Sequence, residues 1–216
     1  MTAPERAEWG ARCEAFVRQL DGDAAHDLAH VRRVVRWAVA LAAAEDADPD
    51  VVLPAAWLHD CVVLPKGSRA RARASALAAE RAEGWLRGEG FPEPLLPAVA
   101  HAIEAHSFSA RVAPRTVEAR VVQDADRLDA LGAIGIARCY ATAGALGSRL
   151  VHPLDPVPGP ESARPLDDRR FATDHFAAKL LRLPATMQTA AGQAEAERRA
   201  ATMRAFLDEL ARETAA

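Results

Sequence analysis

An apolar period close to 3.6 residues runs from one end of this chain to the other, and it leaves room for little besides helices. Over residues 4–20 it places Trp9, Cys13, Phe16, Val17 and Leu20 on one side of an amphipathic helix, which Asp21-Gly22-Asp23 breaks. A second helix is expected over about 26–45, burying Val31, Val34, Val35, Ala38 and Leu41. Asp48-Pro49 makes an N-cap and first-turn pair for a third helix, which carries Val52, Ala55, Ala56, Trp57, Leu58 and then His59-Asp60. A loop with Pro65, Lys66 and Gly67 ends it. Further helices are expected over 70–87, stopped by Gly88 and Gly90, over 92–106, and from Pro114 through Asp126, with 132–145 continuing or following. Residues 146–165 are rich in Gly and Pro and lack periodicity, as in a long surface loop that acts as a lid or an oligomer contact. Helices over 167–183 and 185–213 close the chain. There is no internal repeat and no strand pair, so the expected fold class is all-α.

Composition agrees. Half of the 216 residues are hydrophobic and only 5% are aromatic, which favours close helix packing over sheet. One domain spanning 1–216 is the default at this length. The net charge of −3 offers no basic footprint for nucleic acid. Cys13, Cys61 and Cys139 are few, odd in number and widely spaced, as in a reducing compartment without a disulfide framework. The first ten residues carry no apolar signal core, and no run is long and apolar enough to span a bilayer. A cytoplasmic protein is expected.

The chemistry concentrates at His59-Asp60, an imidazole and a carboxylate offered from one stretch of backbone. Trp57-Leu58-His59-Asp60-Cys61-Val62 puts a charge inside an apolar stretch, and Val121-Val122-Gln123-Asp124-Ala125-Asp126 does the same. A buried carboxylate is costly without a partner, and a cation is a natural one. With His30 upstream, these groups make a nitrogen–oxygen cage suited to Mn²⁺, Fe²⁺, Co²⁺, Ni²⁺ or Zn²⁺; Mg²⁺ usually prefers oxygen alone. Successive helical residues point about 100° apart, so His59 and Asp60 can share one site only near a helix end.

His30 in its His-x-x-Arg-Val context, His59-Asp60, and Asp126 in Asp-Ala-Asp-Arg-Leu-Asp resemble the HD superfamily of metal-dependent phosphohydrolases. The chain is most similar to small bacterial single-domain members, some of which are nucleoside-triphosphate pyrophosphohydrolases. The similarity runs from about 26 to 138, and 122–138 is its most specific stretch. The resemblance implies a metal-binding core over about 20–145, followed by a C-terminal loop and helices over 146–216. It implies His30, His59, Asp60 and Asp126 as ligands to one divalent ion, Mn²⁺ first, with Asp124 and Asp129 as rivals for the last place. Asp60, with His59, would be catalytic, Asp60 both ligating the metal and orienting the attacking water.

Around this core, Lys66, Arg33, His26, His106 and Arg138 are expected to meet substrate phosphates or line the pocket, with Arg127 a similar cation. His26, Asp27 and His30 also resemble the His-Glu-x-x-His of zinc peptidases, a reading that leaves His59-Asp60 unused. His101 and Glu104 share a helix face, whereas His152 and His175 read as structural. The acidic pair that some HD hydrolases carry after His-Asp is absent, since Cys61-Val62-Val63-Leu64 stands there, and Glu80 and Glu104 are weak substitutes as general acid. The expected reaction is pyrophosphate release from a nucleoside or deoxynucleoside triphosphate. The alternatives are a 5′-nucleotidase or other phosphomonoesterase, a di-iron oxygenase, and a nucleotide-binding module without turnover. The expected partner is a small phosphorylated molecule, with a homodimer possible for the chain itself.

Overall fold

A computed structural model describes residues 1–20, 28–62, 64, 73–159 and 161–215. Among these residues the regular structure is helical, and the only β pairings are two isolated bridges, Arg149 with Phe171 and His152 with Asp155. The fold is all-α. The helices are α1 (Ala3–Arg18), α2 (Leu28–Ala44), α3 (Pro49–Leu58), α4 (Ala74–Gly88), α5 (Leu96–His106), α6 (Val117–Leu128), α7 (Gly132–Ala145), α8 (Ala172–Ala178) and α9 (Ala190–Thr214). No described helix is long and apolar enough to cross a membrane. The residues group into two compact units, one of Met1–Asp126 with Gln188–Gly192, the other of Arg127–Met187 with Gln193–Ala216.

In the first unit, α3 packs against α1, α2 and α5, and α5 packs against α4. Its central place follows from its sequence, since Val51, Val52, Ala55, Ala56, Trp57 and Leu58 are all buried. A helix that is apolar on every side must be surrounded. Both its ends are specified. The Asp48 carboxylate accepts from the Asp50 N–H at 2.8 Å, and Pro49 follows at the first helical position, where a missing N–H costs nothing. The helix stops at Leu58 with His59 as its C-cap, well before the Pro-Lys-Gly segment expected to end it. The chain therefore turns at His59 and Asp60, as two neighbouring ligands require.

The second unit departs most from the periodicity. The apolar pattern predicts one helix over 167–183, but α8 spans only Ala172–Ala178 and is followed by a short 3-10 turn, Leu180–Arg182. Two interactions prevent a longer helix. Asp174, fully buried, accepts from the Asp167 N–H at 2.7 Å and from both terminal nitrogens of Arg164 at 2.6 and 2.7 Å, folding 164–167 back on α8. The main chain at 170–172 pairs with Arg149 instead of continuing a helix. The last helix starts at Ala190, later than the expected 185, because Pro184–Thr186 forms a 3-10 turn. Between α6 and α7 the chain breaks fully. Gly132 has φ +70°, and a Cβ at Gly135 would lie 2.2 Å from the Ala130 carbonyl oxygen, so neither place admits a larger residue without strain.

Candidate metal centre

Four helices of the first unit bring their polar ends together. His30 comes from the first turn of α2, His59 and Asp60 from the end of α3, His106 from the last residue of α5, and Asp126 from the last turn of α6. The Nε2 of His30 lies 3.5 Å from Asp126 Oδ1 and 3.8 Å from Asp60 Oδ2. The Nε2 of His59 lies 3.5 Å from Asp60 Oδ2 and 3.9 Å from Asp126 Oδ1. The Nε2 of His106 lies 3.5 Å from the other oxygen of Asp60. The rings of His30 and His106 stand edge-on to His59, at centroid separations of 5.5 and 4.9 Å. The imidazoles form the buried floor, with side chains 0–7% exposed, while Asp60 and Asp126 form a rim at 19% and 31%.

The tautomers follow from the main chain. The Nδ1 of His59 donates to the Ala56 carbonyl at 2.8 Å, and that of His106 donates to the Ile103 carbonyl at 2.6 Å. A carbonyl can only accept, so each Nδ1 carries a hydrogen and each Nε2 points its chemistry at the carboxylates. Burial pulls the His59 pKa below its ordinary value, outweighing the attraction of Asp60, and keeps that ring neutral. Burial also opposes charge on His106, but its hydrogen bond to Asp60 and the charges of Asp60 and Asp126 prevail and raise its pKa.

The donor set fits a divalent cation. His59 Nε2 is buried and makes no hydrogen bond, although its ring is held in place from the other side. A neutral Nε2 lone pair facing carboxylate oxygens is an acceptor facing acceptors, and a cation resolves that conflict. Ligand atoms of His30, His59 and Asp60 all lie within 4.8 Å of one another. One ring nitrogen turned to the cluster and the other bonded to a carbonyl is how a ligating histidine is usually held.

The structure separates the three acidic residues of α6 and its following turn. Asp126 faces the imidazoles. Asp124 is buried against the backbone N–H groups of Gln188 and Thr189, at 2.9–3.0 Å, and the Thr189 hydroxyl, at 2.8 Å. Asp129 is buried against the Arg138 guanidinium in the second unit. Arg138, expected at the substrate, therefore has a structural carboxylate beside it, and Arg127 donates to the Thr186 carbonyl. Arg33 lies three residues beyond His30 on α2 and is half-buried. His26 and Lys66 lie outside the described residues. His101 accepts from the Arg115 N–H at 3.0 Å, His152 packs on Phe171, and His175 pairs with Asp168 at 2.9 Å. The closeness of His106 to Asp60 is not readable from spacing. Its only signal in the sequence is a histidine at the C-terminal end of a helix, on a different face from His101 and Glu104.

The five clustered side chains all fall within the stretch of chain, residues 27–131, that matches the HD-domain family profile. The chain is 34% identical to the Bacillus subtilis protein YpgQ over 194 residues, covering 88% of this chain and 85% of that one. The crystal structure of B. subtilis YpgQ in complex with ADP aligns with a TM-score of 0.75 at 31% identity, covering 96% of both chains. An HD-superfamily hydrolase from Bacillus thuringiensis aligns with a TM-score of 0.75 at 33% identity, covering 98% of this chain and 99% of that one.

Proposed function

This chain belongs to the HD-domain family, and we propose that it is a metal-dependent phosphohydrolase that releases pyrophosphate from nucleoside or deoxynucleoside triphosphates. The observation that carries the reading is the convergence of His30, His59, Asp60 and Asp126, with His59 Nε2 buried and without a hydrogen bond. The ADP bound by YpgQ supports a nucleotide as the substrate class.

Those four residues would hold one divalent ion, with Mn²⁺ the first candidate among the cations that a mixed imidazole and carboxylate set accepts. When bound, such an ion supplies Lewis acidity, polarising a phosphoryl oxygen and lowering the pKa of a water. The protein supplies the rest. His59 is fixed by Ala56 and presents a lone pair, not a proton. Asp60, on the accessible rim, accepts a hydrogen bond from the attacking water and orients it toward phosphorus. His106, fixed by the Ile103 carbonyl, places its Nε2 beside Asp60 Oδ1 and steadies that carboxylate. Arg33, with His26 and Lys66 from the neighbouring sequence, balances charge on the phosphate oxygens.

Metal-stripped protein resupplied with Mn²⁺ and offered a panel of nucleoside triphosphates, deoxynucleoside triphosphates and monophosphates tests the reading. Pyrophosphate plus monophosphate is the expected product pair, lost in His59→Ala and Asp60→Ala. Orthophosphate from monophosphates would establish the nucleotidase instead. No turnover with any divalent metal would refute both.

A further inference from the structure

We infer that Asp124 and Gly192 form a clamp that positions Asp126 for the metal, an assignment that rests on reading the cluster as a metal centre. Asp124 is fully buried and spends its carboxylate on the start of α9, 64 residues away in sequence. Oδ1 accepts from the Gln188 N–H at 2.9 Å, and Oδ2 accepts from the Gln188 N–H at 3.0 Å, the Thr189 N–H at 2.9 Å and the Thr189 hydroxyl at 2.8 Å. Thr189 Oγ1 in turn accepts from the Gly192 N–H at 3.0 Å. A carboxylate among the first amides of a helix meets their partial positive charge, so its burial is compensated.

The fit leaves no slack. A Cβ on Gly192 would lie 2.4 Å from Asp124 Oδ2 and 2.7 Å from Thr189 Oγ1, closer than such atoms approach. Only glycine lets the carboxylate reach the helix end. On the preceding residue, Gln123 Nε2 donates to the Ala105 carbonyl at 2.6 Å, one residue before His106. Two consecutive residues of α6 thus anchor it to the end of α5 and the start of α9.

Asp126 follows two residues later. Its side chain is 31% exposed, and its Oδ1 stands 3.5 and 3.9 Å from the imidazoles of His30 and His59. A rim carboxylate has little packing of its own to hold it, so the α6 backbone sets its place. Loosening the clamp shifts that backbone, and with it one ligand of four. Asp124 is thus a positioning residue.

The test is Mn²⁺ binding to the full chain, read from the free-Mn²⁺ electron paramagnetic resonance signal, with helix content checked by circular dichroism. Asp124→Asn and Gly192→Ala are each expected to weaken binding about 10- to 100-fold, the usual cost of losing an outer partner of a metal ligand. Thr189→Val removes only one donor and is expected to weaken it by a few fold, which keeps the test open if the stronger variants do not fold. Glu45→Ala is the control. Glu45, in the turn after α2, accepts from the Ala191 N–H at the same helix end, at 2.7 Å. It is expected to lower thermal stability and leave Mn²⁺ affinity unchanged. Wild-type affinity in the clamp variants overturns the clamp and leaves the metal centre standing. An equal loss in Glu45→Ala also overturns it, as general loosening. No Mn²⁺ binding by the wild-type chain overturns both.

Discussion

Replacing His59 by leucine separates what the site costs the fold from what a metal returns to it. His59 is fully buried and makes one hydrogen bond, to Ala56, while its Nε2 makes none. Leucine forfeits that bond, about 0.5–1.5 kcal/mol, and removes an unpaired buried acceptor whose burial costs about 1–3 kcal/mol. The change of shape at similar volume costs up to about 1.5 kcal/mol. These terms oppose one another, so in chelator the variant is expected within about 2.5 kcal/mol of wild type. With Mn²⁺ at a hundred times its dissociation constant the wild type gains about 2.7 kcal/mol and the variant nothing. At the slopes usual for domains of this size, that gain moves a urea midpoint by about 1 M or more. Trp9, Trp37, Trp57 and Trp85 all lie in the unit that holds the site, so tryptophan fluorescence during urea unfolding reports it alone. A loss above about 3 kcal/mol in chelator would show that the protein already satisfies Nε2. An undiminished Mn²⁺ response would show that the ion binds elsewhere. Either result refutes the reasoning.

Other expectations follow from the same structure. Burial alone would raise the Asp174 carboxyl, but Arg164 and the Asp167 N–H hold it below the ordinary range, so its contribution is present above its unfolded pKa and is lost as pH falls through the lower folded one. Arg164→Met should cost about 3 kcal/mol at neutral pH and much less in acid, as read by hydrogen exchange at α8 amides. Burial pushes the thiols of Cys13 and Cys61 up to about 12 and that of half-buried Cys139 up to about 11. At pH 8 a thiol reagent should therefore spare the first two in the folded protein, label the third slowly, and label all three in urea. Gly135→Ala drives a Cβ into the Ala130 carbonyl and should destabilise the second unit by about 1–3 kcal/mol or more, which calorimetry would detect; an unchanged transition would contradict the close approach of α7 to the Ala130 turn.

Much of this arrangement can be read from the chain because its determinants are local. The 3.6 period marks the helices, Asp48-Pro49 opens α3, and adjacent His59-Asp60 requires the helix end found at Leu58. What stays hidden depends on distant partners. The shortness of α8 comes from Arg164 and Arg149, which periodicity cannot see. His106 reaches Asp60 only because α5 packs on α3. The choice between Asp124 and Asp126 has a local half, since residues two apart on a helix point about 200° apart and cannot serve one site. Which of them faces the imidazoles is decided by Gln188, Thr189 and Gly192, whose relation to Asp124 no spacing announces.

The most direct measurement is anomalous diffraction at the manganese edge from crystals of Mn²⁺-loaded protein. A single strong peak at ligand distance from His30 Nε2, His59 Nε2, Asp60 and Asp126, lost in Asp126→Ala, is the expected result. A peak elsewhere, or none under loading conditions that sustain hydrolysis, would contradict the assignment of these four residues as the metal centre.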